Sequence, residues 1–440
     1  MRRSAVPQAN NAGSGGAPHE RDTVLDLVRV ACLALVVIGH LLMVGAIIIP
    51  SQGLVIRPTL LEQPWLAPIT WFAQIMPLFF MVGGVVGLGS WERLEIRGGN
   101  ASDFIRSRIL RLARPAIPLF AFFTVAIVVL HVVGIAPESI WAMARGVASP
   151  LWFLAAYTFT QAFLPGMATC HRLAPRTTLA ALAGGATTLE LARLGTGVDA
   201  LGLLNMTFVW LFAQQLGFWV ADGWFARRSR WSIFGIAAGS FAALLLLVMA
   251  GYPESMLDNL NPPTPAIIVL AVGQCSLLML AHPLLSRLMR LRSTRAIVGA
   301  VGGRLMTIYL WHLPVFALVV GLLLLTPLPA AAPGSALWWW SRPAILALSG
   351  TVLYALSIPL GRLEQAPPAL PRGMHVSDSA IGISVSLLVL PPFWVTVFGM
   401  TFWVALAGTA ALSIAVIAQR PLGYTERSLA PGFNGPESAS

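Results

Sequence analysis

The sequence predicts an all-α protein: a polytopic transmembrane helical bundle with about ten core helices, an additional C-terminal hairpin and both termini in the cytoplasm. Of its 440 residues, 57% are hydrophobic and only 10% are charged. Apolar runs of about 18 residues or more, long enough for an α-helix to cross a bilayer, recur along the whole chain. A transmembrane β-barrel would instead show short segments of alternating polarity.

The apolar runs locate the individual membrane spans. Predicted helices occupy residues 24–49, 68–90, 115–134, 151–167, 177–193, 203–222, 231–250, 264–282, 305–325 and 338–360. A last apolar stretch, 380–419, is long enough for two helices, and Pro391 and Pro392 are expected to mark the turn between them. The fifth span is the weakest, because it has little apolar bulk and contains Glu190.

The two ends of the chain lack this apolar pattern. Residues 1–22 are rich in Gly, Ala and Asn, and residues 420–440 are also polar, so both are expected to be disordered tails. Between them, residues 23–419 are predicted to form one transmembrane domain, with a core over 23–360 and the extra hairpin over 380–419. The hairpin is interpreted as a docking or oligomerisation element.

The positive charge of the chain is carried by arginine alone. All 28 basic residues are Arg, and the formal net charge is +11. The predicted connections fall alternately on the two sides of the membrane. Those on the side of the N-terminal tail hold 23 arginines, and those on the other side hold 4. Because cytoplasmic loops carry an excess of arginine, the arginine-rich side is predicted to be cytoplasmic, and since both ends of the chain lie on that side, the number of helices is predicted to be even. Arginines that face anionic lipid also explain the charge without a nucleic-acid partner.

One polar pattern interrupts the first apolar run, in DLVRVACLALVVIGH, residues 26–40. Arg29 and His40 are 11 residues apart. In a helix this separation places both side chains on one face, about 16 Å apart along the axis, with Asp26 one turn before Arg29. Because lipid disfavours such groups by several kcal/mol, this face is predicted to look into the bundle or into a wet cavity. Arg29 would then lie at the cytoplasmic mouth and His40 near mid-membrane.

Other polar and small residues have simpler interpretations. The three cysteines form no CxxC pair, and no His and carboxylate cluster has ligand spacing, so neither a disulfide framework nor a metal site is predicted. Four glutamines lie inside apolar runs and could line a cavity or form hydrogen bonds between helices: Gln74, Gln214, Gln215 and Gln274. The run GGVVGLG follows no strand, so it indicates close helix packing and not a nucleotide loop.

Several motifs together resemble the acyltransferase-3 family of integral membrane acyltransferases. RDTVLDLVRVACLALVVIGH is similar to the family's N-terminal signature, in which Arg or Lys is followed after ten residues by His, and Arg29 and His40 match it. Asp26 stands where the family usually has Asp. AQIMPLFFMVGGVVG, FIRSRILRLARPAIPLF, SPLWFLAAY, NLNPPTPAIIVLAVGQ and MTIYLWHLPV resemble further family segments in the expected order. The resemblance covers roughly residues 21–360.

The resemblance implies a membrane O-acyltransferase of the bacterial plasma membrane. An acyl-CoA on the cytoplasmic side, expected to be acetyl-CoA, would acylate a hydroxyl of a sugar or a lipid-linked glycan. The family's motif histidine corresponds to His40, which would be the catalytic residue. A neutral imidazole is a suitable general base, but histidine can also carry the acyl group as a transient acyl-imidazole, and the sequence leaves both alternatives open.

The resemblance also assigns the donor site to the arginine-rich segment. Arg108 and Arg111 match the family's arginine pair, and Arg106 and Arg114 belong to the same segment. Coenzyme A carries a pyrophosphate and a 3′-phosphate, and guanidinium groups suit phosphates. The alternative is that these arginines serve only the topology of the chain, which would explain their charge but not their spacing of three residues.

The remaining candidate residues carry two interpretations each. Arg29 would orient the donor or snorkel to lipid headgroups, and Asp26 is expected to be its structural partner. Trp152 and Phe153 are interpreted mainly as interfacial aromatics, with a role along the substrate path as the alternative. Tyr309 and His312 lie one turn apart, so one of them would bind the acceptor, or the two would satisfy each other.

Two other classes of function are compatible with the sequence. A proton-coupled secondary transporter could use a mid-membrane His and Arg, although no two-fold repeat is evident. A non-catalytic glycolipid-handling protein could share the fold without the chemistry. Dependence on coenzyme A would separate the acyltransferase from the transporter, and substitution of His40 would separate it from the non-catalytic protein.

Overall fold

The computed structural model describes residues 22–49, 53–326, 331–367, 370 and 374–421. These residues form fifteen α-helices, a two-stranded β-hairpin and one short 3-10 helix. In chain order the elements are α1 Thr23–Met43, β1 Val44–Ile49, β2 Gly53–Pro58, α2 Leu66–Ala73, α3 Met76–Ile96, α4 Ala101–Val132, α5 Pro137–Ala148, α6 Leu151–Leu173, α7 Pro175–Thr196, α8 Leu201–Ala221, α9 Arg230–Met249, α10 Pro265–Leu288, α11 Arg292–Gly302, α12 Leu305–Leu324, α13 Ala336–Leu360, the 3-10 helix Gly361–Glu364, α14 Asp378–Phe398 and α15 Phe402–Ile417. The two predicted tails lie almost entirely outside the described residues.

Ten helical segments of the described chain are long and apolar enough to cross a membrane, which confirms the predicted polytopic helical bundle. Two further predicted spans differ from them. Helix α7 has 22 residues but is less apolar and contains the buried Glu190, whose carboxylate accepts hydrogen bonds from Arg193. Helix α15 is apolar but has only 16 residues. The cytoplasmic location of both termini stays a prediction from the arginine distribution.

The first predicted span, 24–49, was too long. Helix α1 ends at Met43, and Val44–Ile49 forms strand β1, which pairs antiparallel with β2. The sequence of β1 is VGAIII, and β-branched residues favour extended backbone. A continuous apolar run does not by itself distinguish such a strand from the end of a helix.

Helix α4 begins much earlier than the predicted span 115–134. It starts at Ala101, where the Asn100 side chain accepts from the backbone N–H of Asp103 and the Asp103 carboxylate accepts from that of Asn100. This reciprocal capping satisfies two N–H groups that the first turn leaves unbonded. The arginine-rich segment is therefore helical, so arginines three residues apart follow one stripe of α4.

The predicted turn at Pro391 and Pro392 was also wrong, because both residues lie inside helix α14. The chain turns instead at Gly399, whose φ of 83° lies in the region that favours glycine. Neighbouring helices can compensate for the hydrogen bonds that proline removes inside a membrane protein.

The C-terminal hairpin packs along the bundle. Helix α15 lies against α4, where the backbone at Gly408 approaches the Phe120 ring, and α14 lies against α6. A polar contact fixes its end: the Arg106 Nε–H donates to the carbonyl oxygen of Gln419 at 3.1 Å. The hairpin is thus tied to the arginine-bearing helix.

Helices α3 and α8 approach each other closely through glycine. A Cβ added at Gly84 would lie 2.3 Å from the carbonyl oxygen of Gln214, and one added at Gly217 would lie 2.1 Å from that of Met81. Such distances leave no room for any side chain, so the helix axes can approach only because both positions are glycine. The predicted role of the GGVVGLG run in helix packing is confirmed.

The glutamines inside the helices form interhelical hydrogen bonds. Gln214 Nε2 donates to the Thr160 carbonyl oxygen at 2.9 Å, and Gln215 Nε2 donates to that of Met167 at 3.0 Å. Gln274 Nε2 donates to the Gln74 carbonyl oxygen, at the break between α2 and α3. Hydrogen bonding between helices therefore accounts for Gln214, Gln215 and Gln274, whereas the side chain of Gln74 accepts from the nearby backbone N–H of Met76.

The face of α1 that carries Arg29 and His40 looks into the bundle, as predicted. The opposite face is open: Leu35 is 47% exposed, Ile38 is 39% exposed, and Ala34 is exposed as well. At about 100° per residue, these three side chains point away from His40. The polar face of α1 therefore meets α3 and α12 and not the membrane side.

We expect Gly84→Ala to destabilise the protein by roughly 1–3 kcal/mol, because the added methyl group would force α3 away from the α8 backbone. The measurement is thermal unfolding of the purified protein in detergent. Gly239→Ala is the matched control, since a Cβ at that helical position meets no atom within 4 Å. Equal melting temperatures for the two variants would contradict the assigned packing role of Gly84.

Candidate active site

Two histidines from distant parts of the chain meet inside the bundle. His40 on α1 is half-buried, and His312 on α12 is only 1% exposed. The distance between His40 Nδ1 and His312 Nε2 is 2.7 Å, and the ring centroids are 4.9 Å apart at an interplanar angle of 16°. The separation is 272 residues along the chain, so helix packing alone creates this pair.

The protons of the pair can be assigned from one backbone carbonyl. His312 Nδ1 lies 2.5 Å from the carbonyl oxygen of Tyr309, which can only accept, so Nδ1 carries the hydrogen. In the neutral imidazole, Nε2 of His312 is then an acceptor, and His40 Nδ1–H must donate to it. The lone pair of a neutral His40 is therefore at Nε2, which has no hydrogen-bond partner among the described residues.

The side chain of Tyr309 does not bond to His312, which excludes the interpretation that their side chains satisfy each other. The Tyr309 hydroxyl donates to the carbonyl oxygen of Pro150 at 2.5 Å. Its ring meets the Phe153 ring edge-on, with centroids 4.9 Å apart, and lies 5.8 Å from the His312 ring. Tyr309 thus links α12 to the start of α6.

A cavity of about 120 Å³ lies beside these rings, between α1, α3, α4, α6 and α12. Along α1 its lining runs from Arg29 through Leu33 to Val36, and along α12 it runs from Leu305 to Tyr309. The other lining residues are Cys32, Met76, Phe79, Gly83, Val86, Gly87, Arg108, Arg111, Leu112, Phe153, Tyr157, Gln161, Met306 and Glu364. The cavity is therefore charged near Arg29 and apolar or aromatic toward the histidines.

Three of the predicted arginines reach this cavity and two do not. Arg29, Arg108 and Arg111 line it, whereas Arg106 bonds to the C-terminal hairpin and Arg114 is absent from the lining. Arg108 Nε and Nη2 are buried and have no hydrogen-bond partner in the described part of the chain. The Arg108 guanidinium lies over the Phe104 ring, and a guanidinium group that lines a cavity is suited to an anionic ligand.

A family model described as an acyltransferase domain matches residues 22–417, which is most of the chain. The chain belongs to the acyltransferase-3 family. Neither the curated proteins nor the solved structures include a match to the sequence. Family membership makes the protein a multi-pass membrane acyltransferase, with an acyl donor and an acceptor. The matched residues extend beyond 360 and include all of α14 and α15.

The family's signature residue Asp26 lies at the mouth of the site. Asp26 Oδ1 is 3.9 Å from Arg29 Nη1, as expected for a structural partner. Both residues, with Arg111, line a second cavity of about 650 Å³ that adjoins the first. Arg93 and Asp222 also line it. The candidate site therefore consists of a wide charged vestibule and a narrow, mostly apolar cavity.

The aromatic pair of the Trp-Phe-Leu motif is buried and does not serve as an interfacial anchor. Phe153 is 3% exposed and lines the narrow cavity. Trp152 is 8% exposed and stacks on Trp210, with centroids 5.6 Å apart, outside the lining. The expectation that both are mainly interfacial residues was wrong, because α6 is surrounded by other helices.

Among the cavity residues that were not predicted from the sequence, three carry strongly polar groups. Tyr157 and Gln161 lie one turn apart on α6 and face the cavity. Glu364 lies far along the chain, and its carboxylate accepts from the backbone N–H groups of Met306 and Thr307 at 3.2 and 2.5 Å. Glu364 is the first acidic residue after Asp258, and this isolation was a usable signal.

Glu364 holds the helix that carries His312. Met306 and Thr307 lie in the first turn of α12, where N–H groups have no intrahelical acceptor and a negative charge is favourable. The carboxylate also faces Arg111 across the cavity. It therefore connects the charged part of the cavity with the position of α12.

We expect Glu364→Leu to lower the free energy of unfolding by about 1–3 kcal/mol, because two amide hydrogens in the first turn of α12 lose a charged acceptor. Thermal unfolding in detergent measures the change. Gln365→Ala removes an exposed neighbouring side chain and is the control. A Glu364→Leu variant as stable as the control would show that the cap does not support α12.

Proposed function

We propose that this acyltransferase transfers an acyl group, with acetyl as the first candidate, from acyl-CoA to a hydroxyl group of a sugar or lipid-linked glycan. The observation that carries the proposal is the His40–His312 pair. Because His40 Nδ1–H donates to His312 Nε2, the lone pair of His40 lies at Nε2, which could act as a base or a nucleophile. The adjacent arginine-lined cavity supplies a site for an anionic donor.

The two adjoining cavities suit the parts of coenzyme A. The vestibule is wide and is lined by charged groups of both signs, with Arg29, Arg93 and Arg111 beside Asp22, Asp26, Glu92 and Asp222. In this proposal the phosphates bind at Arg29 and Arg111, which belong to both linings, and at the guanidinium group of Arg108 in the narrow cavity. The thin pantetheine arm and its acyl group would enter the narrow cavity. With the predicted topology, the donor enters from the cytoplasm.

His40 would act at Nε2. As a general base, it takes the proton of the acceptor hydroxyl while the hydroxyl oxygen attacks the thioester carbonyl. The new C–O bond forms, the C–S bond breaks, and the thiolate receives the proton from the imidazolium. In the alternative, Nε2 itself attacks the thioester carbon, so that an N–C bond forms, the C–S bond breaks and coenzyme A leaves as the thiolate. The acceptor oxygen then attacks the acyl-imidazole, the N–C bond breaks, and the hydroxyl proton passes to the thiolate. Both routes use the same nitrogen.

His312 would be a positioning residue. Its Nε2 accepts the His40 Nδ1–H, which holds the imidazole in the tautomer with a lone pair at Nε2. When His40 gains a proton, the same hydrogen bond stabilises the imidazolium. In this proposal Phe153 and Tyr309 line the path of the donor arm, and Asp26 orients Arg29.

We expect His40→Ala to reduce acyl transfer by about 10²-fold or more, because the only proposed base is removed. The measurement is free thiol release from acetyl-CoA and longer acyl-CoAs by protein in nanodiscs, with cell-envelope extract as acceptor. His131→Ala is the matched control, since His131 bonds only to the Ile127 carbonyl of its own helix among the described residues. Full turnover in a folded His40→Ala protein would overturn the assignment, and it would also favour a different catalytic residue.

The role of His312 has its own expected pattern. His312→Gln keeps an acceptor oxygen for His40 Nδ1–H, and His312→Phe does not. We expect the Phe variant to lose about tenfold more of kcat than the Gln variant at similar KM for the donor. Equal losses of kcat, or losses confined to KM, would contradict a positioning role.

We expect Arg108→Ala and Arg111→Ala each to weaken acyl-CoA binding roughly tenfold or more, because each loses charge-assisted hydrogen bonds to phosphate. Isothermal titration of the detergent-solubilised protein with a non-hydrolysable acyl-CoA analogue measures this. Arg295→Ala, on the exposed face of α11, is the control. If both variants bound the analogue as tightly as the control, the prediction that Arg108 and Arg111 bind the donor would be contradicted.

A further inference from the structure

One glutamine inside the bundle differs from the others in its hydrogen bonding. The side chains of Gln214, Gln215 and Gln274 all donate to backbone carbonyl oxygens of other segments. Gln161 on α6 is only 2% exposed, but its carboxamide forms no hydrogen bond within the described part of the chain. It lines the narrow cavity. Because a buried amide without a partner is unfavourable, Gln161 is suited to a polar ligand in that cavity.

The hydroxyl group of Tyr157 faces the same space. Tyr157 lies one turn before Gln161 on α6, lines the cavity and also has no hydrogen-bond partner among the described residues. A Cβ added at Gly83 on α3 would lie 3.5 Å from this hydroxyl and 3.8 Å from Gln161 Nε2. The hydroxyl and the carboxamide therefore flank one part of the cavity, to which Gly83 contributes no side chain.

Helix α6 follows the cavity from its aromatic end to its arginine end. At the aromatic end, the Phe153 ring meets the Tyr309 ring edge-on. The glutamine lies about 12 Å further along the helix axis. Leu164, in the next turn, packs in one cluster with Phe104, and the Arg108 guanidinium lies over the Phe104 ring. The two polar groups of α6 therefore lie between a guanidinium group and the aromatic end.

A donor that binds in the proposed direction places its pantetheine arm between these two ends. This arm joins the phosphates of coenzyme A to the sulfur and contains two secondary amides, separated by two methylene groups. Each amide has one N–H donor and one carbonyl acceptor. The Gln161 carboxamide offers a matching acceptor and donor, and the Tyr157 hydroxyl can donate to a carbonyl oxygen.

We infer that Gln161 and Tyr157 are specificity-determining residues that bind the amide groups of the donor's pantetheine arm, in the space that Gly83 leaves open. This inference rests on the proposed acyltransferase function. A sugar hydroxyl could bond to the same two side chains, but their position between Arg108 and the aromatic end favours the donor.

The test compares coenzyme A with its nucleotide part alone, adenosine 3′-phosphate 5′-diphosphate, which lacks the arm. Isothermal titration of the full-length protein in detergent measures both affinities. We expect Gln161→Leu to weaken coenzyme A binding about tenfold and Tyr157→Phe about threefold to tenfold, because each variant loses hydrogen bonds to an amide. The affinity for the nucleotide should stay unchanged, since the nucleotide has no group that reaches these side chains.

Two control variants make the same chemical changes at exposed positions. Gln365→Leu and Tyr354→Phe lie outside the linings of the narrow cavity and the vestibule. Both affinities should therefore match those of the native protein in these two variants.

The glycine wall provides an independent variant. Gly83→Ala places a methyl group 3.1 Å from Tyr157 Cε2, in the space before both polar groups, and should reproduce the selective loss of coenzyme A binding. Gly166→Ala on α6 is its control, because a Cβ there meets no atom within 4 Å. Should Gln161→Leu fail to unfold cooperatively, Tyr157→Phe and Gly83→Ala carry the test.

The outcomes distinguish this inference from the proposed function. A native protein that binds coenzyme A no more tightly than the nucleotide would overturn the role of Gln161 and Tyr157. Folded variants whose two affinities change equally or not at all would overturn it as well, and a rise only in the KM for the acceptor would assign these side chains to the acceptor. A native protein that binds neither compound and releases no thiol with any donor would overturn the proposed function itself.

Discussion

The hydrogen bond between His40 and His312 is the contact on which the candidate site depends. Polar groups inside a membrane protein must find partners within the protein, because lipid offers none. His312 satisfies one nitrogen with the Tyr309 carbonyl of its own helix and the other with His40. The backbone of α12 thereby determines which nitrogen of His40 is available for chemistry.

The same requirement explains how the surrounding helices are positioned. Glu364 accepts hydrogen bonds from the first turn of α12 and also lines the arginine-bearing cavity, so one carboxylate contacts both the helix that carries His312 and the charged part of the cavity. On the other side, glycine contacts between α3 and α8 and amide hydrogen bonds from Gln214 and Gln274 hold a rigid wall. Reactive groups placed on such packed helices keep their geometry better than groups on loops.

The site also separates two kinds of environment over a short distance. Charged groups of both signs line the wide vestibule: Arg29, Arg93, Arg111, Asp22, Asp26, Glu92 and Asp222. Arg29, Arg108 and Arg111 line one part of the narrow cavity, and mostly apolar and aromatic side chains line the rest. A narrow apolar cavity excludes water more effectively than a wide charged one.

Spacing in the sequence was enough to predict the features that belong to one helix: the apolar spans, the common face of Arg29 and His40, and the stripe through Arg108 and Arg111. Three contacts could not be predicted in this way: the bond of His312 to His40, the cap of Glu364 on α12, and the bond of Arg106 to the C-terminal hairpin. These contacts join residues that are 57 to 313 positions apart, and they depend on how the helices pack, which no local pattern records. The strand at Val44–Ile49 also depends on the tertiary structure. An apolar run rich in β-branched residues can continue a helix or form a strand, and here pairing with β2 stabilises the strand.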